Sequence, residues 1–319
     1  MPRVNAETAY VLTGLAARGS RRQDSSVPNR ILVVVRGSDP QQTAVQRAVL
    51  CAAKKTELVL LDVVHEPMLD GYLGNTAIYE PLRARLVAER RERVEALAKM
   101  LAVGGRHVSA KALWDHPLDE AVAKQAREVR ADFVVLAPDA PEHGLSLGEW
   151  RVVSTCPAPV LVARRASRAK YARIVAAVDP FHAHAKPVGL DLAILAGARE
   201  LAMQSGATLS VVHCYTPVEL LGVDAPSPRS ADEGVGARRA ALEALVEQAG
   251  LPKSAARLET GLPAHVALQR LAESGEADLI VLGALARGRL EDWLIGSTAE
   301  RVLHRGGADV LAVKPPQVR

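Results

Sequence analysis

The residues of this chain whose types and spacing suit chemistry best lie between positions 177 and 300. Ala177-Val178-Asp179-Pro180 places a carboxylate just past an apolar run. Leu282-Gly283-Ala284-Leu285-Ala286-Arg287-Gly288-Arg289 ends another such run, and Gly296-Ser297-Thr298-Ala299-Glu300 opens a helical stretch. Together these form an anion cradle. Gly283 and Gly288 let the backbone turn and approach a ligand closely. The first N–H groups of a helix after Gly296 have no intrahelical acceptor and sit at the positive end of its dipole. Ser297 and Thr298 add hydroxyl donors and Arg287 a charge. Two structural readings stand beside this one: Ser297-x-x-Glu300 has the form of a capping box, and Gly283 could simply end a strand.

Other reactive side chains are less well placed. His182-Ala-His184 reads as a loop pair, because no Cys or further His lies nearby to complete a coordination set. His213 falls inside an apolar strand and reads as a hydrogen-bonded core residue, whereas His65 and His265 lie near element ends and carry no signal. Asp62 is a carboxylate inside an apolar run and needs a partner there. Cys51, Cys156 and Cys214 form no CxxC; they read as free buried thiols and fit a reducing cytoplasm. No nucleophile elbow, P-loop or kinase motif set is present, so no catalytic residue is assigned and the chain reads as a binding protein rather than an enzyme.

The elements that must position the cradle occur twice. Asp115–Ala137 and Gly261–Gly283 align without a gap at an offset of 146, with Pro117 on Pro263 and Ala131-Asp132 on Ala277-Asp278. Strands are expected near 31–35, 57–64, 107–112, 132–137 and 159–163, then near 173–178, 208–215, 255–259, 278–283 and 309–314. Helices are expected near 41–54, 81–102, 118–129 and 146–155, then near 188–204, 235–249, 264–274 and 297–305. The strands are continuous apolar runs, as in sheets buried on both faces. Alternating strands and helices imply parallel sheets with right-handed crossovers. The fold class is therefore α/β: two tandem Rossmann-like domains, each a five-stranded parallel sheet with helices on both faces. Residues 1–29 read as a basic flexible tail, 30–166 as the first domain and 172–319 as the second, joined by a polar, basic linker over Arg164–Tyr171. In such sheets ligands bind beyond the carboxyl ends of the strands, where the cradle residues fall.

At this point the sequence resembles the universal stress protein superfamily, in its tandem two-domain form. Members that bind ATP carry Gly-x-x-Gly-x9-Gly-(Ser/Thr) after the fourth strand and an Asp closing the first. Here Gly283-Ala-Leu-Ala286 is followed, after nine residues, by Gly296-Ser297; the spacing is kept and the second glycine is Ala286. The resemblance implies ATP or AMP in the second domain. Asp179 would meet the adenine or ribose edge, and Val178 and Cys214 would line the base pocket. Leu282, Gly283 and Ala286 would pass near the ribose and phosphates, which Gly296, Ser297 and Thr298 would hold. It also implies pairing of the last strands, Val160–Ala163 against Val310–Val313, as an intramolecular pseudo-dimer, with a homodimer as the alternative assembly. The first domain departs much further. Arg36 stands where the Asp belongs, Ala137-Pro138-Asp139-Ala140 replaces the first glycines, and Ser146-Leu147 falls where Gly-Ser belongs. Pro138 removes a backbone donor. This copy reads as a degenerate partner that supports folding, with Arg36 solvated or ion-paired.

Composition excludes other classes. The net charge is +4 and the pI about 9.0, but Arg3, Arg18, Arg21, Arg22 and Arg30 against Glu7 and Asp24 account for most of it. The rest is near neutral and poor in aromatics, without the basic or stacking surfaces that nucleic acids need. No apolar run approaches the length of a membrane span, and residues 8–17 lack a convincing cleavage site. The expected function is stress-responsive binding of an adenine nucleotide, with a chaperone-like protein holding no nucleotide, or an apolar metabolite, as the alternative.

Overall fold

The structure is a computed structural model, in which residues 29–37, 39, 41–69, 76–140, 143–164, 169–181, 189–216, 231–284, 296–305 and 307–315 are described. The elements of the first half are β1 (Arg30–Val34), α1 (Thr43–Cys51), β2 (Glu57–Val64), α2 (Thr76–Leu101), β3 (Val108–Trp114), α3 (Leu118–Glu128), β4 (Phe133–Leu136), α4 (Leu147–Thr155) and β5 (Val160–Val162). The second half repeats them as β6 (Arg173–Ala177), α5 (Leu190–Ser205), β7 (Thr208–Tyr215), α6 (Ala231–Gln248), β8 (Ala256–Thr260), α7 (Ala264–Glu273), β9 (Leu279–Gly283), α8 (Ser297–Arg305) and β10 (Asp309–Val313). Every expected element is present. The largest shift is in α2, which begins before the expected 81 and carries Pro81 within it.

The strands form one sheet in the order β3-β2-β1-β4-β5-β10-β9-β6-β7-β8. Within each half all neighbours are parallel, and the halves join by antiparallel pairing of β5 with β10, Val162 opposite Val310 and Val160 opposite Ala312. Two apolar layers cover the sheet. One packs α1, α2, α5 and α6 through residues such as Ala48, Val94, Ile194 and Leu242; the other packs α3, α4, α7 and α8 through Val122, Val152, Leu268 and Val302. The central strands are buried on both faces, as their uninterrupted apolar runs require. The outermost strands differ from that expectation. β3 and β8 are only partly buried, because each has a neighbour on one side alone.

The duplicated motifs have physical reasons. Asp132 Oδ2 accepts the N–H groups of Asn29 (2.8 Å) and Arg30 (2.9 Å), and Asp278 Oδ2 accepts those of Ala172 (2.8 Å) and Arg173 (2.8 Å). Each Ala-Asp pair thus fixes the entry of its half's first strand. Pro117 and Pro263 sit at the N-caps of α3 and α7, where a missing N–H costs nothing.

The seam is also ionic. Arg47 of α1 places Nε 2.6 Å from Asp309 Oδ2 of β10, both side chains being almost wholly buried; the contact is one of charge rather than a linear hydrogen bond. The Tyr171 hydroxyl donates to Asp309 Oδ2 at 2.9 Å, and Arg164 N donates to its Oδ1 at 2.8 Å. The Arg47 guanidinium lies 4.4 Å above the Tyr171 ring. Lys314, following β10, donates to the carbonyls of Val153 and Ser154. It therefore places a cation at the C-terminal end of α4, where the helix dipole favours one.

Candidate functional site

In each half the strand order reverses direction between the first strand and the fourth, and ligands of open α/β sheets bind in the crevice at that switch point. In the second half this is the gap past β6 and β9, whose register aligns Ile174 with Leu279 and Ala176 with Val281. The chain therefore brings Val178 and Asp179, which follow β6, to the same end of the sheet as Leu282 and Gly283. Cys214 joins them near the end of β7. Ala286, Arg287 and Gly288 lie outside the described residues, as do His182 and His184.

Val178 is buried, donates to Val212 O (3.0 Å), and its carbonyl lies 3.2 Å from His213 Nδ1. A carbonyl can only accept, so His213 carries a proton on Nδ1. His213 is buried, as expected for a hydrogen-bonded core residue. Its Nε2 faces Arg238 Nη1 at 3.4 Å, and its Nδ1 lies 3.8 Å from Asp179 Oδ1. The Asp179 carboxylate also accepts from Phe181 N (3.2 Å), and Asp179 N donates to the buried Asp191 (3.3 Å). The Asp179 side chain is thus positioned beside a histidine. No sequence motif marks the stack next to it, where the Arg238 guanidinium lies 4.4 Å from the Phe181 ring centroid and 4.0 Å from that of Tyr215. Those three residues come from three separate elements with no shared motif.

Cys214 is half-buried rather than buried, and its Sγ points toward Ala264 O at 4.0 Å. Burial, reinforced by the charge of Glu259, pushes the thiol up to about 12, so it is a neutral wall residue. Leu282 is buried. Gly283 has a packing reason of its own: a Cβ there would lie 2.7 Å from Leu190 Cδ2 and 3.0 Å from Leu190 Cγ. The side chain of Leu190, at the start of α5, occupies that space.

At α8 the helix begins at Ser297, and Gly296 O accepts the N–H of Glu300 at 2.9 Å. Gly296 therefore holds the cap position and Ser297 the first helical one, so the capping-box reading of Ser297-x-x-Glu300 does not hold. Ser297 is exposed and Thr298 half-buried. Among the described residues, no acceptor meets the N–H groups of Ser297, Thr298 or Ala299.

The matching turn of the first half is filled. Ser146 is the N-cap of α4, its hydroxyl accepting from Glu149 N (3.4 Å) while Glu149 Oε2 accepts from Ser146 N (2.7 Å). This is a capping box, and its signal was legible as Ser146-x-x-Glu149. Glu149 is only 1% exposed, and its Oε1 accepts from Asp139 N at 2.9 Å and lies 3.4 Å from Arg36 Nη2. Arg36 Nη1 also pairs with Asp139 Oδ2 at 2.7 Å. Arg36 is thus ion-paired, and a carboxylate of the protein itself takes the place at the helix N-terminus that an anion would take. Asp62 has its expected partner in Arg90 (3.5 Å), and burial raises its carboxyl above the usual range. Among the described residues no group of three or more His, Cys, Asp or Glu could hold a metal, and no helix is long and apolar enough to cross a membrane.

Comparison with known proteins adds the ancestry. The model of the universal stress protein family matches twice, over residues 28–164 and 170–314. Universal stress protein E of Escherichia coli (strain K12) is 25% identical over 312 residues, covering 90% of this chain and 94% of the relative. A homologue of that protein in Haemophilus influenzae is 24% identical over 307 residues, covering 89% and 97%. Among solved structures, a functionally unknown protein from Pseudomonas aeruginosa PAO1 is similar at a TM-score of 0.68 and 26% identity, covering 91% of this chain and 94% of its own. A universal stress protein from Archaeoglobus fulgidus DSM 4304 shares the fold at a TM-score of 0.64 and 18% identity, covering 90% and 98%.

Proposed function

This chain belongs to the universal stress protein family, in tandem form, and from that membership we propose that its second half binds an adenine nucleotide, ATP or AMP. The protein then acts in a stress response in the cytoplasm, by conformational change or partner docking rather than by catalysis. The observation that carries this reading is the difference between the two helix N-termini. In α4 a capping box uses Ser146 and the Glu149 carboxylate, itself paired with Arg36, whereas among the described residues no acceptor meets the first N–H groups of α8. Phosphates suit such a turn. Gly296 gives close backbone approach, and Ser297 and Thr298 supply hydroxyls. Val178, Leu282 and the neutral thiol of Cys214 form apolar walls at the same end of the sheet, with the Asp179 carboxylate, held beside His213, at the edge that a ribose would meet.

The test is titration of ATP and AMP into the wild-type protein and Gly296→Asp, by calorimetry, together with the nucleotide content of the purified protein. Binding in wild type that weakens at least about 100-fold in the variant supports the reading, because the added carboxylate brings a like charge to the phosphates and leaves the rest of the crevice unchanged. Saturable binding that ignores the substitution refutes it. A second reading, an interaction protein without nucleotide, draws on one observation: Leu190 already fills the space over Gly283, so that glycine is accounted for without a ligand. Absence of bound or titratable nucleotide selects the second reading.

A further inference from the structure

The seam between the halves holds an open pocket on the face covered by α4, α7 and α8. Its volume is about 610 Å³, within the range of pockets that hold small organic ligands. The first half supplies Leu145, Leu147 and Trp150, and the second half supplies Val266. Leu147 is 69% exposed at the first position of α4. In the repeat it stands where the second half has Ser297, and Trp150 stands where the second half has Glu300. The degenerate copy has therefore replaced two polar positions by apolar ones that face a shared space.

The other wall is polar and cationic. Arg301 Nη1 donates to His265 Nε2 at 3.1 Å, and among the described residues no carboxylate pairs with the guanidinium. Its remaining N–H groups can still fork onto an acceptor, and a planar carboxylate fits that fork best. Glu300, the one acid of the lining, is exposed and free to point to solvent. The cavity is braced at one end, since a Cβ on Gly144 (φ +85) would lie 2.8 Å from His304 Nδ1. The two halves thus touch there without room for a side chain.

We infer that this seam cavity is a ligand site for a small aromatic carboxylate, its rings against Trp150, Leu145, Leu147 and Val266 and its carboxylate on Arg301. The site is composite, so neither half has it alone.

The probe is 1-naphthoate, titrated by calorimetry at constant ionic strength, with neutral 1-naphthylmethanol as control. One-to-one binding of naphthoate with Kd below about 1 mM is expected, with the alcohol weaker by about 10-fold. Arg301→Gln should remove the preference for the acid. Leu147→Asp, at an exposed position whose thermal midpoint verifies folding, should abolish binding of both. Failure to saturate up to about 1 mM, equal affinity for acid and alcohol, or binding indifferent to Leu147→Asp overturns the inference. So does a sedimentation-velocity dimer that Leu147→Asp dissolves, since the cavity would then be covered by a second copy.

Discussion

Glu149→Ala should turn the filled turn of the first half into an anion site. In the wild-type protein the buried carboxylate accepts from Asp139 N and Ser146 N and faces Arg36. Removing it leaves two N–H groups orphaned and a guanidinium with one partner, Asp139, instead of two. Truncating one partner of a buried hydrogen-bonded charge cluster costs about 3–5 kcal/mol. At about 2–4 °C per kcal/mol for a half of this size, the thermal midpoint should fall by roughly 10 °C in chloride. The vacated volume lies at a helix N-terminus beside an arginine, so inorganic phosphate should bind there. At a concentration 100 times its Kd, a ligand restores about 2.7 kcal/mol. The assay is thermal unfolding of wild type and variant in chloride and in phosphate at pH 7.5 and equal ionic strength. The variant should recover most of its loss in phosphate, and the wild-type first half should gain nothing. A variant that falls by the expected amount but responds to phosphate no more than wild type would refute the claim that Glu149 substitutes for an anion.

Two further predictions concern the seam. Burial, and secondarily the charge of Asp132, push the Glu200 carboxyl from its ordinary 4.5 up to about 7. A raised carboxyl adds stability that is fully present below the unfolded value and is lost as pH rises through the folded one. Glu200→Gln should therefore stabilise the protein at pH 8 by about 1 kcal/mol, a figure already reduced for the solvent that reaches this group, and give no advantage at pH 4; urea midpoints at the two pH values decide it. Arg47→Met should cost about 3–5 kcal/mol by stranding Asp309, while Arg47→Met with Asp309→Leu should recover only part of that, because the Tyr171 hydroxyl and Arg164 N then lose this acceptor; urea unfolding of the two variants measures both.

The fold was legible because its signals are local and occur twice. Apolar runs of strand length, helical stretches between them, and the paired Ala-Asp and Pro positions set every element, and the structure explains the pairs by the backbone N–H groups that Asp132 and Asp278 hold. Where the sequence misled, the cause lies in which residue of a motif takes the cap or in partners distant along the chain. Ser297-x-x-Glu300 has the form of a cap, yet Gly296 takes the cap position, and the true capping box is Ser146-x-x-Glu149. Arg36 gave no sign of its partners because Asp139 and Glu149 are about a hundred residues away. Gly283 looks like a ligand residue until Leu190, from another element, is seen in the space a side chain would need. The Phe181–Arg238–Tyr215 stack follows from register between elements, which no single-residue pattern encodes.

The asymmetry of the halves follows from what each position must satisfy. β5 and β10 are apolar on both faces, and each would be an unpaired edge if its half stood alone, a state that invites association. Antiparallel pairing removes both edges, and Arg47, Asp309, Tyr171 and Lys314 fix it with contacts that cross the seam. These constraints bind the first half as strongly as the second, so its strands and its seam helix must be kept. Its switch-point turn has no such obligation. Once the Glu149 carboxylate accepts from Asp139 N and Ser146 N and is paired with Arg36, the turn is stable without a ligand, and Leu147 and Trp150 are released to face the seam. A half can therefore lose a ligand's features at one end of its sheet while remaining indispensable at the edge it shares.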